Sequence, residues 1–273
     1  MDHYHFKVGH FDCTLLRDAS GPRSVVSFMP SPPQDELERV IRQQGLDPDA
    51  LDFSISPLLI RSGDVLLLVD TGEGGELPER LNNLMIDPAE IDVVVITHGH
   101  GDHIAGILNA DSAFAFPNAR YVFWQSEWDY WTADERLASA AQNHIKDVWT
   151  ALKAHPDRID LLSTDQPEAE IMPGICAVAA PGHTVGHIAL ELSSDGEKLL
   201  HIADTAHGYF QIACPQWSPK FDYDKEQAAV TRRALFERAA RDGCLLSAYH
   251  FPFPGIGHVV ERDGGLGWEQ IPG

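Results

Sequence analysis

The sequence predicts a mixed α/β (α+β) protein of two packed sheets covered by helices, assembled from two similar halves. Three observations carry this. Strand-like and helix-like stretches are interspersed along the chain with neither a linker nor a low-complexity tract. The length of 273 residues and hydrophobic content of 44% suit one globular core, read as a single domain over residues 1–273. Residues 60–71 and 192–205 also share a design of strand, tight turn, apolar strand and then Asp-Thr, at Asp70-Thr71 and Asp204-Thr205. That echo describes an internal duplication rather than a solenoid.

The elements follow in order. Residues 5–18 read as one or two strands, and Pro32-Pro33 precede a short amphipathic helix over 35–44. Apolar strands at 56–61 and 65–70 flank the turn Ser62-Gly63-Asp64. The Gly-rich stretch 72–75 lacks the Gly-Lys-Ser/Thr of a phosphate loop and reads as a turn before a helix over 76–84. A buried strand follows at 91–96 and another at 120–123, then one long helix over 126–155. Strands at 188–193 and 198–204, a helix over 224–241 and a strand at 245–249 complete the reading.

Charge excludes one large class of partner. With 20 Lys+Arg against 41 Asp+Glu the formal net charge is −21, and no basic run exceeds Arg232-Arg233, so nucleic acid is disfavoured. The longest apolar runs, 65–69 and 93–96, are too short for a bilayer, and residues 1–5 show no secretory signal. Cys13, Cys176, Cys214 and Cys244 stand without a CxxC and read as small packed thiols in a reducing, cytoplasmic compartment.

Chemistry concentrates after the strand at 91–96. His98, His100, Asp102 and His103 fall within six residues, spaced by glycines that let the backbone turn tightly. Imidazole and carboxylate are the donor set of zinc and related first-row ions. Further candidates lie downstream: His183 in the Gly-flanked turn 181–187, Asp204 at the end of an apolar strand and His250 at the end of another. A carboxylate at such a place needs a partner. Asp70 reads as an acceptor bracing the His98 loop. His187, His201 and His258 read as supporting or surface groups, and His3, His5 and His10 as an exposed strand.

With these motifs spread over most of its length, the chain resembles the metallo-β-lactamase fold superfamily, which implies a four-layer αββα sandwich with the site between its sheets. The resemblance implies that His98, His100 and His183 hold one metal, that Asp102, His103 and His250 hold the other, and that Asp204 bridges them. Two divalent ions are implied, zinc foremost, with manganese, cobalt or iron compatible. Within the superfamily the chain looks most like the binuclear branch of N-acyl-homoserine lactonases and methyl parathion hydrolase. Residues 248–258 and Asp204-Thr205-Ala206-His207 resemble the latter group. The lactonases carry a catalytic Tyr three residues after the bridging Asp, where this chain has His207.

The mechanism this implies is attack on an ester or lactone carbonyl by a metal-activated hydroxide, without Ser or Cys nucleophile. Asp102 is the candidate for relaying a proton to the leaving group; His207 is a candidate for contacting substrate or oxyanion, with a supporting role as its alternative. The acidic chain favours a small neutral ester or lactone over anionic glutathione conjugates. An organophosphate hydrolase is the alternative, and a mononuclear iron persulfide dioxygenase-like oxidoreductase is the alternative from another class. Phe28 and Phe53, on loops before the first hairpin, and Trp124, Trp128 and Trp131 are candidates for an apolar pocket. Trp128 and Trp131 equally suit packing of a helix onto the core. A homodimer is compatible with all of this.

Overall fold

A computed structural model describes residues 1–139, 143–262 and 264–271. The chain divides into two compact units, each joined from two separated segments: Met1–Ala19 with Ile55–Ala169, and Ser20–Ser54 with Glu170–Gly273. The fold is mixed α/β, with sheets flanked by helices.

The first unit holds a seven-stranded sheet in the order His3–Val8, Phe11–Leu16, Leu58–Ser62, Val65–Val69, Val93–Val95, Arg120–Trp124, Ile159–Leu162. The first four strands are antiparallel neighbours, and the rest add in parallel. The strands Val65–Val69 and Val93–Val95 are continuous apolar runs, as strands covered on both faces are. Leu16, Leu68, Val94, Tyr121 and Phe123 pack with Leu77, Leu81, Val148 and Trp149 from the helices into one core.

The second sheet runs Glu168–Met172, Ile175–Ala179, Ile188–Ser194, Glu197–His201, Leu245–Ser247, Ile256–Arg262, Gly265–Gln270. An antiparallel hairpin is again followed by a parallel strand, Leu245–Ser247 beside Glu197–His201. The predicted duplication is therefore a repeat of topology: hairpin, crossover, parallel strand. The halves differ afterwards, because Ile256–Arg262 and Gly265–Gln270 return antiparallel. Asp195 and Gly196, at φ 52° and 82°, make the tight turn of the second hairpin, the left-handed pair that a two-residue loop needs. A two-stranded ribbon, Ala19–Arg23 with Leu51–Ile55, accompanies a separate apolar cluster of the second unit containing Phe28, Met29, Leu37, Ile41 and Phe53 with Phe210 and Trp217.

Most of the predicted elements lie within two residues of their predicted ends. The predicted long helix over 126–155 is interrupted at Ala133: the described residues form Gln125–Thr132, Asp134–Ser139 and Asn143–Ala154, and residues 140–142 of that prediction lie outside the described residues. The break has a tertiary cause. Lys153 Nζ donates to the Thr132 carbonyl at 3.0 Å and to Asp134 Oδ1 at 2.8 Å, closing the C-terminus of one helix and steadying the start of the next. The helix Lys225–Asp242 begins where predicted, because Asp224 Oδ1 accepts from the Glu226 and Gln227 amides, and it ends at Gly243 with φ 61°. Phe53 lies on a ribbon strand rather than the predicted loop. Among the described residues no helix is long and apolar enough to cross a membrane.

Among the described residues no disulfide links the four cysteines; Cys13 and Cys244 are buried. Burial, reinforced by Asp12, pushes the Cys13 thiol from 9.0 up to about 12. An unfolded chain ionises this thiol first, so its contribution to stability is complete below about pH 9 and is lost as the pH rises toward 12. Urea unfolding of wild type and Cys13→Ala at pH 8, 9 and 10 should show the gap between them narrowing by up to about 1.4 kcal/mol per pH unit. A gap constant with pH would show that burial does not hold the thiol neutral.

Candidate functional site

In the first unit the site residues follow the strand Val93–Val95, and Asp70 follows its parallel neighbour Val65–Val69, so both sit at one end of the sheet. Asp70, at φ 60°, is fully buried. Its Oδ1 accepts from the Thr97 amide at 2.8 Å, and its Oδ2 accepts from the Thr97 hydroxyl and His103 Nδ1, each at 2.7 Å. With Nδ1 donating to Asp70, a neutral His103 keeps the lone pair on Nε2, which lies 3.9 Å from Asp102 Oδ1. The Thr97 hydroxyl, already donating to Asp70, can accept from His98 Nδ1 at 3.2 Å. That arrangement leaves His98 Nε2 facing His100 Nδ1 at 3.1 Å. Burial raises the pKa of Asp70 while His103 and Thr97 oppose the rise.

The loop is held from behind by Glu127, whose Oε1 accepts from the Gly99 amide at 2.9 Å and from Trp131 Nε1 at 2.6 Å. A Cβ on Gly99 would fall 2.4 Å from the Trp131 ring, so the glycine spacer here answers a close approach of an indole. Trp131 stacks on Trp149 at 6.1 Å, and Trp128 packs on Phe123 and Trp149. Trp124 is buried where its strand passes into the helix Gln125–Thr132.

In the second unit Asp204 lies in the short turn Ala203–Thr205, just past the strand Glu197–His201, and Ala203 adopts φ 43° to bring the chain round. His250 follows the parallel strand Leu245–Ser247. His183 sits in the turn between Ile175–Ala179 and Ile188–Ser194, where Gly182, at φ 127°, touches the backbone of Ala228 too closely for any side chain. These elements converge on one atom. Nε2 of His183, His207 and His250 lie 3.3, 3.3 and 3.2 Å from Asp204 Oδ2. Asp204, His207 and His250 form a buried group with the spacing of a metal site.

Two of these imidazoles have their outer nitrogen committed. His183 Nδ1 donates to Asp222 Oδ1 at 2.9 Å, and His250 Nδ1 donates to the Ser54 carbonyl at 2.8 Å. In the neutral rings Nε2 then carries a lone pair aimed at a carboxylate oxygen, an arrangement that a cation between them reconciles. The residues thus fit a metal on the chemistry of their donors. His207 differs: its Nδ1 is buried without a hydrogen-bond partner among the described residues, and burial pulls its pKa down to about 4 against the pull of Asp204. His187 Nε2 accepts from the Asp204 amide at 3.1 Å and so supports the turn. Aromatic rings line this cluster: Phe53 stacks on His250 at 4.0 Å, Phe28 meets Phe53 at 5.8 Å, and Phe221 lies 4.8 Å from His207.

Sequence reasoning missed Asp222, Glu127 and Phe221. Asp222 lies in an unremarkable polar stretch 39 positions from His183, so no local spacing could have found it. Arg232, of the basic pair Arg232-Arg233, is fully buried and bonded to Asp222 and backbone carbonyls. Asp70 braces the His98 loop as predicted, and His3, His5 and His10 are exposed.

A family model described as the metallo-beta-lactamase superfamily matches residues 50–250. The N-acyl homoserine lactonase AiiB of Agrobacterium fabrum (strain C58 / ATCC 33970) is 28% identical over 169 residues, covering 51% of this chain and 58% of AiiB. The chain spans about half the length of the curated relatives it matches. AidC, a dizinc quorum-quenching lactonase solved with its product, shares the fold at a TM-score of 0.88 and 24% identity, over 99% of this chain and 97% of AidC. AbOPH, a hydrolase in the beta lactamase superfamily, superimposes at 0.88 with 26% identity over 99% of this chain and 98% of its own.

Proposed function

Because the chain belongs to the metallo-β-lactamase superfamily, we propose that it is a binuclear metal-dependent hydrolase of neutral esters or lactones, working as a single catalytic domain. In this reading His98, His100 and His183 would hold one ion, Asp102, His103 and His250 would hold the other, and Asp204 would serve both. The observation that carries it is the convergence of His183 and His250 Nε2 on Asp204 Oδ2 with their Nδ1 atoms already spent on Asp222 and the Ser54 carbonyl. Likeness over nearly the whole chain to solved hydrolases supports it.

When bound, the ions, zinc foremost, supply a nucleophile from water at neutral pH and polarise the scissile carbonyl. The chain's own residues do the rest. Thr97, Asp70, Asp222 and the Ser54 carbonyl fix the imidazole tautomers. Asp102, with a side-chain exposure of 29%, passes a proton to the leaving alkoxide. His207, neutral and with Nδ1 uncommitted, contacts the substrate beside Phe53 and Phe28. A net charge of −21, with Arg232 sequestered, favours a neutral substrate over an anionic one.

The test is a panel of lactones, aryl esters, phosphotriesters, thioesters and β-lactams assayed with protein of measured metal content. Two ions per chain and turnover led by lactones or esters are expected. Turnover led by phosphotriesters would make the chain an organophosphate hydrolase; activity confined to thioesters or β-lactams, or a single iron per chain, would overturn the reading.

A further inference from the structure

Arg232 occupies a position that the proposed chemistry does not use directly. It projects from the helix Lys225–Asp242 and is fully buried, as few arginines are. Its guanidinium is engaged on every nitrogen. Nη2 donates to Asp222 Oδ2 at 3.0 Å, Nη1 donates to the carbonyls of Pro215 and Trp217 at 2.7 and 3.0 Å, and Nε donates to the Thr205 carbonyl at 2.6 Å.

Two of these contacts lead to different site residues. With its other oxygen Asp222 accepts from His183 Nδ1, while Thr205 is the residue after Asp204. One rigid planar group therefore holds His183, through a carboxylate, and the backbone of the Asp204 turn, through a carbonyl. His183 Nε2 and Asp204 Oδ2 stand 3.3 Å apart at the far ends of these two arms. A buried ion pair is a poor device for stability alone, because desolvation offsets the attraction. Its recurrent use is to fix geometry. In the other cluster Asp70 plays the part of Asp222 for His103, accepting hydrogen bonds from Thr97 and His103.

We infer that Arg232 is a positioning residue that sets the His183–Asp204 spacing through Asp222 and the Thr205 carbonyl, and so governs how tightly the ion held by His183 is bound. The inference rests on the binuclear reading above. Lysine cannot replace the fork, since a single ammonium offers no fixed set of directions to several acceptors at once.

The experiment compares wild type, Arg232→Lys and Asp222→Asn, with Arg233→Lys, an exposed neighbour on the same helix, as control. Each is loaded with zinc, and retained ions per chain are measured against a chelator series, with apoprotein melting temperature, kcat and KM alongside. Arg232→Lys should weaken one ion of the two by about ten- to a hundred-fold, lower kcat and leave KM within about threefold. Asp222→Asn should do the same although Arg232 keeps its three carbonyls. The control should match wild type. A lower apoprotein melting temperature with undiminished ion retention in both variants would make Arg232 a pillar of the fold only and overturn the inference. If Arg232→Lys fails to fold, Asp222→Asn decides by the same readouts. Failure of the binuclear reading would show instead in wild type, as fewer than two ions or no hydrolysis.

Discussion

Alanine at Asp204 or at His98 should lower hydrolysis by about a thousand-fold or more, on the scale of removing a nucleophile or its activator from a hydrolase. Asp204 is the point on which His183, His207 and His250 converge, so its loss leaves three buried imidazoles facing one another without the anion between them. His98 is fully buried and supplies Nε2 opposite His100 Nδ1. Metal content measured by elemental analysis should fall with activity, below two ions per chain in each variant. Undiminished turnover in either variant would refute the metal mechanism. Full metal with lost turnover would show that the residue acts on the substrate and not as a ligand.

The second large effect is on stability. Asp70→Ala removes a fully buried carboxylate and strands the Thr97 amide, the Thr97 hydroxyl and His103 Nδ1 together. Breaking a buried charged network from one side costs about 3–5 kcal/mol, which for a domain of this size lowers the melting temperature by roughly 10 °C. Asp70→Asn is the informative companion. Its carbonyl can still accept from Thr97, but its amide would oppose His103 Nδ1–H and push that ring to its other tautomer. Thermal unfolding should therefore place Asp70→Asn between wild type and Asp70→Ala. A shift below about 2 °C for Asp70→Ala would mean that water or a neighbour replaces the carboxylate.

The parts that could be read beforehand are those where one residue type leaves few choices. Short valine- and leucine-rich runs bounded by turn residues read as covered strand, and a His-x-His-x-Asp-His run beside glycines invites a metal. What escaped reading has non-local causes. The break after Thr132 is made by Lys153 from another helix. The C-terminal strands Ile256–Arg262 and Gly265–Gln270 are only partly buried and show no clean alternation. Ala19–Arg23 contains Gly and Pro, which disguise a strand that exists because it pairs with Leu51–Ile55. Asp222 and Arg232 look like ordinary surface charges until the fold buries them against each other.

The segment Ser20–Ser54 belongs with residues made much later in the chain. On a ribosome, Phe28, Met29, Leu37, Ile41 and Phe53 emerge long before Phe210 and Trp217, the rings they pack against. At about 5–20 residues per second the gap amounts to roughly ten to thirty seconds. Until then these side chains lack the two rings that complete their cluster, whereas every residue of the first unit has been synthesised once Ala169 is added. Chaperone demand during biosynthesis should therefore fall on this early loop, and solubilising changes are best sought among its exposed positions rather than in either sheet.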